Sequence, residues 1–171
     1  NRVRALIDFL AERLAGELWR RGRLVESQRR YEQAAELSTG PADQARNLRA
    51  AAGAALTRLA GVDHLRLLRR SADVALAAGD RDGATLDLAW MALTIARSPG
   101  TMAEPHSQEE AAALLDDAVA TSAGSPAAEA TMSVAAAYLA YRELTIARVE
   151  QVAAMAGDAG ASTAQDAALD L

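Results

Sequence analysis

The chain of 171 residues has no cysteine and no lysine, only four prolines, and aromatic side chains at 4% of its composition. Without cysteine it can build neither a disulfide framework nor a thiolate metal site, which fits a reducing compartment. No uninterrupted apolar run approaches the ~20 residues needed to span a bilayer, and the N-terminal stretch lacks the zones of a signal peptide. A cytoplasmic chain without membrane contact is the expectation. The G-x-x-x-x-G-K-[ST] loop is missing, so nucleotide hydrolysis is not expected. His64 and His106, the only two histidines, fall in no H-x-x-x-H or H-E-x-x-H spacing that would set two imidazoles on one helical face. No catalytic residue, no cofactor site and no metal site is read from the sequence, and an enzyme is not expected.

What remains is alanine, leucine and arginine in helical order. The scarcity of β-branched and aromatic residues favours helix over strand. Val3, Leu6, Ile7, Leu10, Leu14, Leu18 and Trp19 recur at three- and four-residue steps and predict one amphipathic helix ending near Gly22. Leu24, Ser27, Tyr31, Ala34, Ala35 and Leu37 predict a second, closing an antiparallel hairpin. Pro41 suits a helix first turn; that helix is expected to end at Gly61, and Asp63 to cap a fourth that runs to Gly79-Asp80. Asp80 and Asp82 of "GDRDG" read as a turn and an N-cap, since an EF-hand needs further ligands and a Glu at its twelfth position. Ser107 and Glu110 form an S-x-x-E capping box. The region 126–156 reads as two helices divided near Tyr141-Arg142, where the apolar row shifts, with a single long helix as the alternative because no glycine marks the boundary. The fold class is therefore all-α: about four degenerate hairpins at approximately 2–38, 41–79, 81–122 and 125–157, with 8–9 helices in all. Residues 158–171 read as a tail or the start of a next helix. The thin apolar face at one end and the abrupt helical entry at the other read as a piece of a longer protein.

In "GELWRRGRLVESQRRYEQAAEL", residues 16–37, Leu14-Ala15 and Leu18 precede a turn glycine, Gly22, followed by Ser27, Tyr31 and Ala34. This segment resembles the tetratricopeptide repeat, in which small and aromatic residues let two helices pack closely. Val134-Ala135, Tyr138, Ala147 and Ala154 fall at comparable spacings, but Arg142 stands where the glycine would be and Gln151 replaces the aromatic. Taking Ser27, Leu67, Ala113 and Ala147 as equivalent gives repeats 40, 46 and 34 residues apart. The resemblance implies a right-handed stack of TPR-like hairpins, an α–α superhelix. Irregular Ala-, Leu- and Arg-rich hairpins with phrases such as "VALAAGDRDGA" are also similar to the helical-repeat region of LuxR-type (MalT-like) bacterial transcriptional regulators. That resemblance implies a parent protein with a nucleotide-binding module and a helix-turn-helix. This chain would be its partner- or effector-sensing arm, and DNA would be contacted only through a domain absent from it. A free-standing repeat adaptor for a peptide or partner protein is the competing expectation.

The charges divide along the chain. Residues 1–70 carry 14 Arg against 8 acids and residues 71–171 carry 4 Arg against 15 acids. Such asymmetry can steer a partner or pair the basic half of one chain with the acidic half of another, a head-to-tail homo-oligomer that salt would weaken. Arg20, Arg21, Arg23, Arg29 and Arg30, with Arg66, Arg69 and Arg70, form a basic patch. Glu17, Glu26, Glu32 and Glu36 lie among them at pairing distances, which argues against a nucleic-acid surface. Asp116 and Asp117 point about 100° apart on a helix and do not converge. His64 reads as a first-turn surface residue. A concave groove lined by the first helix of each hairpin would present Glu17, Arg20, Arg49, Arg58, Trp90 and Tyr138 to a protein or peptide partner or a small-molecule effector. Trp90 is singled out because Asp87 and Thr94 share its face.

Overall fold

A computed structural model describes residues 13–102 and 106–169, with side chains described as far as Gln151 except those of Pro99 and Val149. The apolar row expected at Val3, Leu6, Ile7 and Leu10 lies outside these residues, as do the side chains of Val152 and Ala154. Among the described residues the chain forms seven helices and no strand. Helix α1 is described over 13–20 and is followed by α2 (Leu24–Leu37), α3 (Pro41–Thr57), α4 (Gly61–Ala77) and α5 (Arg81–Arg97). A 3₁₀ turn at Pro99–Thr101 precedes α6 (Gln108–Thr121) and α7 (Pro126–Leu169). None of the described helices is long and apolar enough to cross a membrane.

Each helix packs on the next from α2 to α5, and α5 meets α4, α6 and α7 together. That position explains why α5 is buried on nearly all sides, from Ala84 to Ala96. The core is built on Leu48, Leu67, Leu88, Ile95 and Leu114, with alanines such as Ala52, Ala55, Ala89 and Ala92 between them. Alanine is what permits this stacking, because the distance between helix axes is set by the side chains at the crossing.

Three turns share one closure. At the end of α1, Gly22 N–H donates to Trp19 O and Arg23 N–H to Leu18 O; at the end of α4, Gly79 and Asp80 donate likewise to Leu76 and Ala75. This pair of bonds defines a Schellman motif, whose C′ residue must adopt positive φ, and glycine does so without steric cost. Gly22 and Gly79 have φ of 71° and 78°. At the end of α3 the same bonds run from Leu59 to Leu56 and from Ala60 to Ala55. There the left-handed residue is Leu59, at φ 61°.

Four expectations need correction. Helix α3 stops at Thr57, Arg58 and Leu59 form its closing turn, and Gly61 instead opens α4. Gly61 is required for close approach: a Cβ there would stand 2.8 Å from the Thr101 carbonyl oxygen. Asp63 is not an N-cap but a first-turn residue that pairs with Arg58. His64 is buried, at 3% exposure, because it faces α3 and α5 instead of solvent. The region 126–156 is one continuous helix within α7. No glycine or proline interrupts it, and Ala128, Ala135 and Leu139 continue as one buried row to Arg142. The Arg142 guanidinium donates to the Ile95 and Ala96 carbonyls at 3.3 and 3.5 Å, so it caps the end of α5 and makes no turn. Asp80 and Ser107 cap as expected, accepting from the amides of Gly83 and Glu110. The Glu110 carboxylate, however, accepts from His106 Nδ1 at 2.8 Å.

Candidate partner-binding pocket

Arg49, Gly53 and Leu56 lie at i, i+4 and i+7 on α3, a spacing that sets them in one row. His64 and Leu68 stand one turn apart on α4, and Leu86, Asp87 and Trp90 come from α5. Together these eight residues enclose a half-open cavity of about 160 Å³. Its volume suits one aromatic or branched aliphatic group, since a cavity of about 150 Å³ holds benzene. The bare Gly53 backbone forms part of the wall, and a Cβ there would stand 3.4 Å from the Trp19 ring. Trp90 is 38% exposed on a helix that is otherwise almost wholly buried.

A charged pair crosses the pocket floor. Arg49 Nε donates to Asp87 Oδ1 at 2.6 Å, tying α3 to α5. Asp87 is buried, and burial pushes its carboxyl above the ordinary value while the Arg49 guanidinium pulls it back. One buried atom on each side, Arg49 Nη2 and Asp87 Oδ2, has no hydrogen-bond partner among the described residues. Nη2 is tucked under the start of α5, where a Cβ on Gly83 would stand 2.5 Å from it. The Ser71 hydroxyl, which also favours the Asp87 carboxylate, has its single proton directed to Ala45 O at 3.1 Å. A buried ion pair with unmet bonds loses much of its Coulombic gain to desolvation.

His64 forms the inner wall. Its Nδ1 lies 2.8 Å from Ala52 O, so this nitrogen carries a proton. Nε2 lies 3.0 Å from Thr94 Oγ1, and the same hydroxyl lies 2.8 Å from Trp90 O. One hydroxyl proton serves only one of these acceptors: with neutral His64 it satisfies Nε2, and with His64 protonated it turns to Trp90 O. Burial holds the His64 pKa below its ordinary value, opposed by the Ala52 carbonyl.

Of the six residues expected to line a groove, the structure brings Arg49 and Trp90 together here. Glu17 binds Arg20 on its own helix and Arg21 in the turn that follows, and these hydrogen bonds hold its carboxyl below the ordinary value. Arg58 binds Gln28 and Asp63 on α2 and α4. Burial pushes the Asp63 carboxyl up, but Gln28 and the guanidiniums of Arg66 and Arg58 hold it below its usual value. Tyr138 lies under Arg97, whose guanidinium carbon is 5.9 Å from the ring centroid. Sequence reasoning missed Gly53, Leu56 and Leu68 as wall residues and His64 as a buried one. The signal was the α3 row at four- and three-residue steps beside a tryptophan with an aspartate one turn before it. Among the described residues no group of three or more His, Asp or Glu could hold a metal ion. No family model, curated protein or solved structure matches the chain.

Proposed function

We propose that this chain is a non-catalytic recognition arm, a TPR-like stack of hairpins whose α3–α4–α5 pocket receives an apolar group of a protein or peptide partner or of a small effector. The observation that carries this reading is the exposed Trp90 on a cavity of about 160 Å³ lined by leucines and by the Arg49–Asp87 pair. Binding sites are commonly concave and apolar with a few placed polar groups. The repeat character is supported by the α1–α2 and α3–α4 hairpins, which close with the same turn and the same side-chain bond 37 residues apart. Composition and the "VALAAGDRDGA" phrase support a place in a LuxR-type transcriptional regulator, where DNA binding would belong to a separate domain.

Two experiments test the reading. In a Trp19→Phe variant, Trp90 is the only indole, and its side-chain N–H can be followed by NMR during titration with phenol, indole and other single-ring compounds. Saturable shifts at Trp90 are expected, and their absence up to the solubility limit would count against the pocket. The coding sequence on either side tests the parent: a P-loop upstream or a helix-turn-helix downstream is expected. Stop codons bounding this chain would leave the free-standing adaptor instead.

A further inference from the structure

The two ends of the helix series carry surfaces that fit one another. Between α1 and α2 lies an open groove of about 460 Å³, floored by Leu14 and Leu18 and edged by Arg23 in the turn and by Glu26, Arg29 and Arg30 of α2. Leu14 is 46% exposed there. Arg23 shares Glu26, but Arg30 donates only to Gln33, and neither Arg29 nor Arg30 pairs with a carboxylate among the described residues. The groove thus joins an apolar floor to an edge of three guanidiniums and one carboxylate, which leaves it net positive.

At the other end, α7 buries its Ala128–Ala135–Leu139 row against the rest of the fold until Arg142 caps α5. Helix α5 ends at Arg97, but α7 continues. The same face then runs on without cover: Ile146, seven residues after Leu139, is 46% exposed. Glu143 and Glu150 stand on this face, one turn to either side of Ile146, and both are exposed. They are seven residues apart and, at 1.5 Å per residue, spaced by about 10.5 Å along α7. Arg23, the residue that precedes α2, and Arg30 on α2 are also seven residues apart. An apolar residue between two carboxylates therefore faces, in the groove, an apolar floor with guanidiniums about two turns apart.

We propose that the free part of α7 docks in the α1–α2 groove of a second copy of this chain. Ile146 packs on Leu14 and Leu18, while Glu143 and Glu150 meet Arg23 and Arg30. The mode is a helix laid in a groove. The contact joins two different surfaces, so each added copy leaves one groove and one helix face open, and assembly need not stop at a dimer. The charged contacts lie at the rim, where salt screens them over a Debye length of about 10 Å at 0.1 M and about 3 Å at 1 M.

Sedimentation equilibrium tests this on the whole chain. In 50 mM salt the average mass should rise with protein concentration past twice that of the chain, and in 1 M salt it should fall toward the monomer. The variants R23E/R30E and E143R/E150R alter exposed side chains; each alone should be monomeric with unchanged circular dichroism. Mixing the two should restore association, because each reversed surface finds its complement on the other variant. A wild-type chain that stays monomeric at several hundred micromolar in low salt overturns the proposal. Association that survives either reversal, or that mixing fails to restore, overturns it as well and points to another surface.

Discussion

The Ser27 hydroxyl and the His64 imidazole make the same bond in successive hairpins. Ser27 donates to Ala15 O and His64 Nδ1 to Ala52 O, both at 2.8 Å and both to a carbonyl twelve residues earlier on the partner helix. Donors and acceptors alike are 37 residues apart. The turn residues between them, Gly22 and Leu59, keep the same offset and the same left-handed conformation. Two unlike side chains therefore pin two hairpins in one register.

This equivalence predicts unequal costs for equal roles. Ser27→Ala removes one buried hydrogen bond and should lower stability by about 1 kcal/mol. His64→Ala removes two bonds and most of a buried ring, with a cavity left behind, and should cost about 3 kcal/mol. Urea unfolding followed by circular dichroism measures both. Equal losses would show that the His64 ring contributes no packing.

The first hairpin was legible in the sequence because its turn uses the residue the conformation favours, and the caps at Asp80 and Ser107 were legible for the same reason. The second hairpin hides its turn behind Leu59, so the sequence places the helix end at Gly61, four residues beyond the actual end at Thr57. Its register is equally hidden: the repeat spacing read from the sequence sets Ser27 against Leu67, whereas hydrogen bonding matches it to His64. The Arg49–Asp87 pair could not be read at all, because its members stand 38 residues apart and only the packing of α3 near α5 joins them. The long α7 reads as two helices from the sequence because the apolar row shifts at Tyr141-Arg142. In the structure that arginine faces inward to cap another helix.

Leu59 offers a direct gain. A left-handed conformation costs an L-residue with a side chain about 1–2 kcal/mol, partly offset by the greater backbone entropy that glycine loses on folding. The Leu59 side chain is 69% exposed, so little packing is lost on its removal. Leu59→Gly should raise stability by about 0.5–1 kcal/mol. The reverse change at the matching turn, Gly22→Leu, should lower it by a comparable amount, and thermal melts of the two variants should move in opposite directions.

The Arg49–Asp87 pair predicts a non-additive cycle. Arg49→Met leaves a buried carboxylate without its counter-charge and should cost about 3–5 kcal/mol near neutral pH. Asp87→Leu alone strands a guanidinium that is about a quarter exposed, so water compensates part of its loss. The double variant replaces an incompletely bonded ion pair with apolar contact and should be more stable than Arg49→Met alone. Denaturant midpoints of the four proteins check this, and strictly additive losses would show that the pair carries no coupling.

His64 sets an acid limit. Its pKa is lowered in the folded protein by burial, so between its folded value and the unfolded value near 6.5 the unfolded chain binds more protons. The stability His64 contributes is therefore present above that window and falls as pH drops through it. Asp87, which lines the same cavity opposite Arg49, has the contrary sign: its folded pKa is raised, and lowering the pH through that value relieves the cost of a buried charge. The two effects are separated by variants. His64→Gln should flatten the loss below about pH 6.5 while Asp87 stays unchanged, and Asp87→Asn should leave that loss in place and remove the opposing gain. Urea unfolding at half-unit steps from pH 7.5 to 4.5 for the wild type and both variants decides it. A His64→Gln curve parallel to that of the wild type would mean that another group governs acid sensitivity.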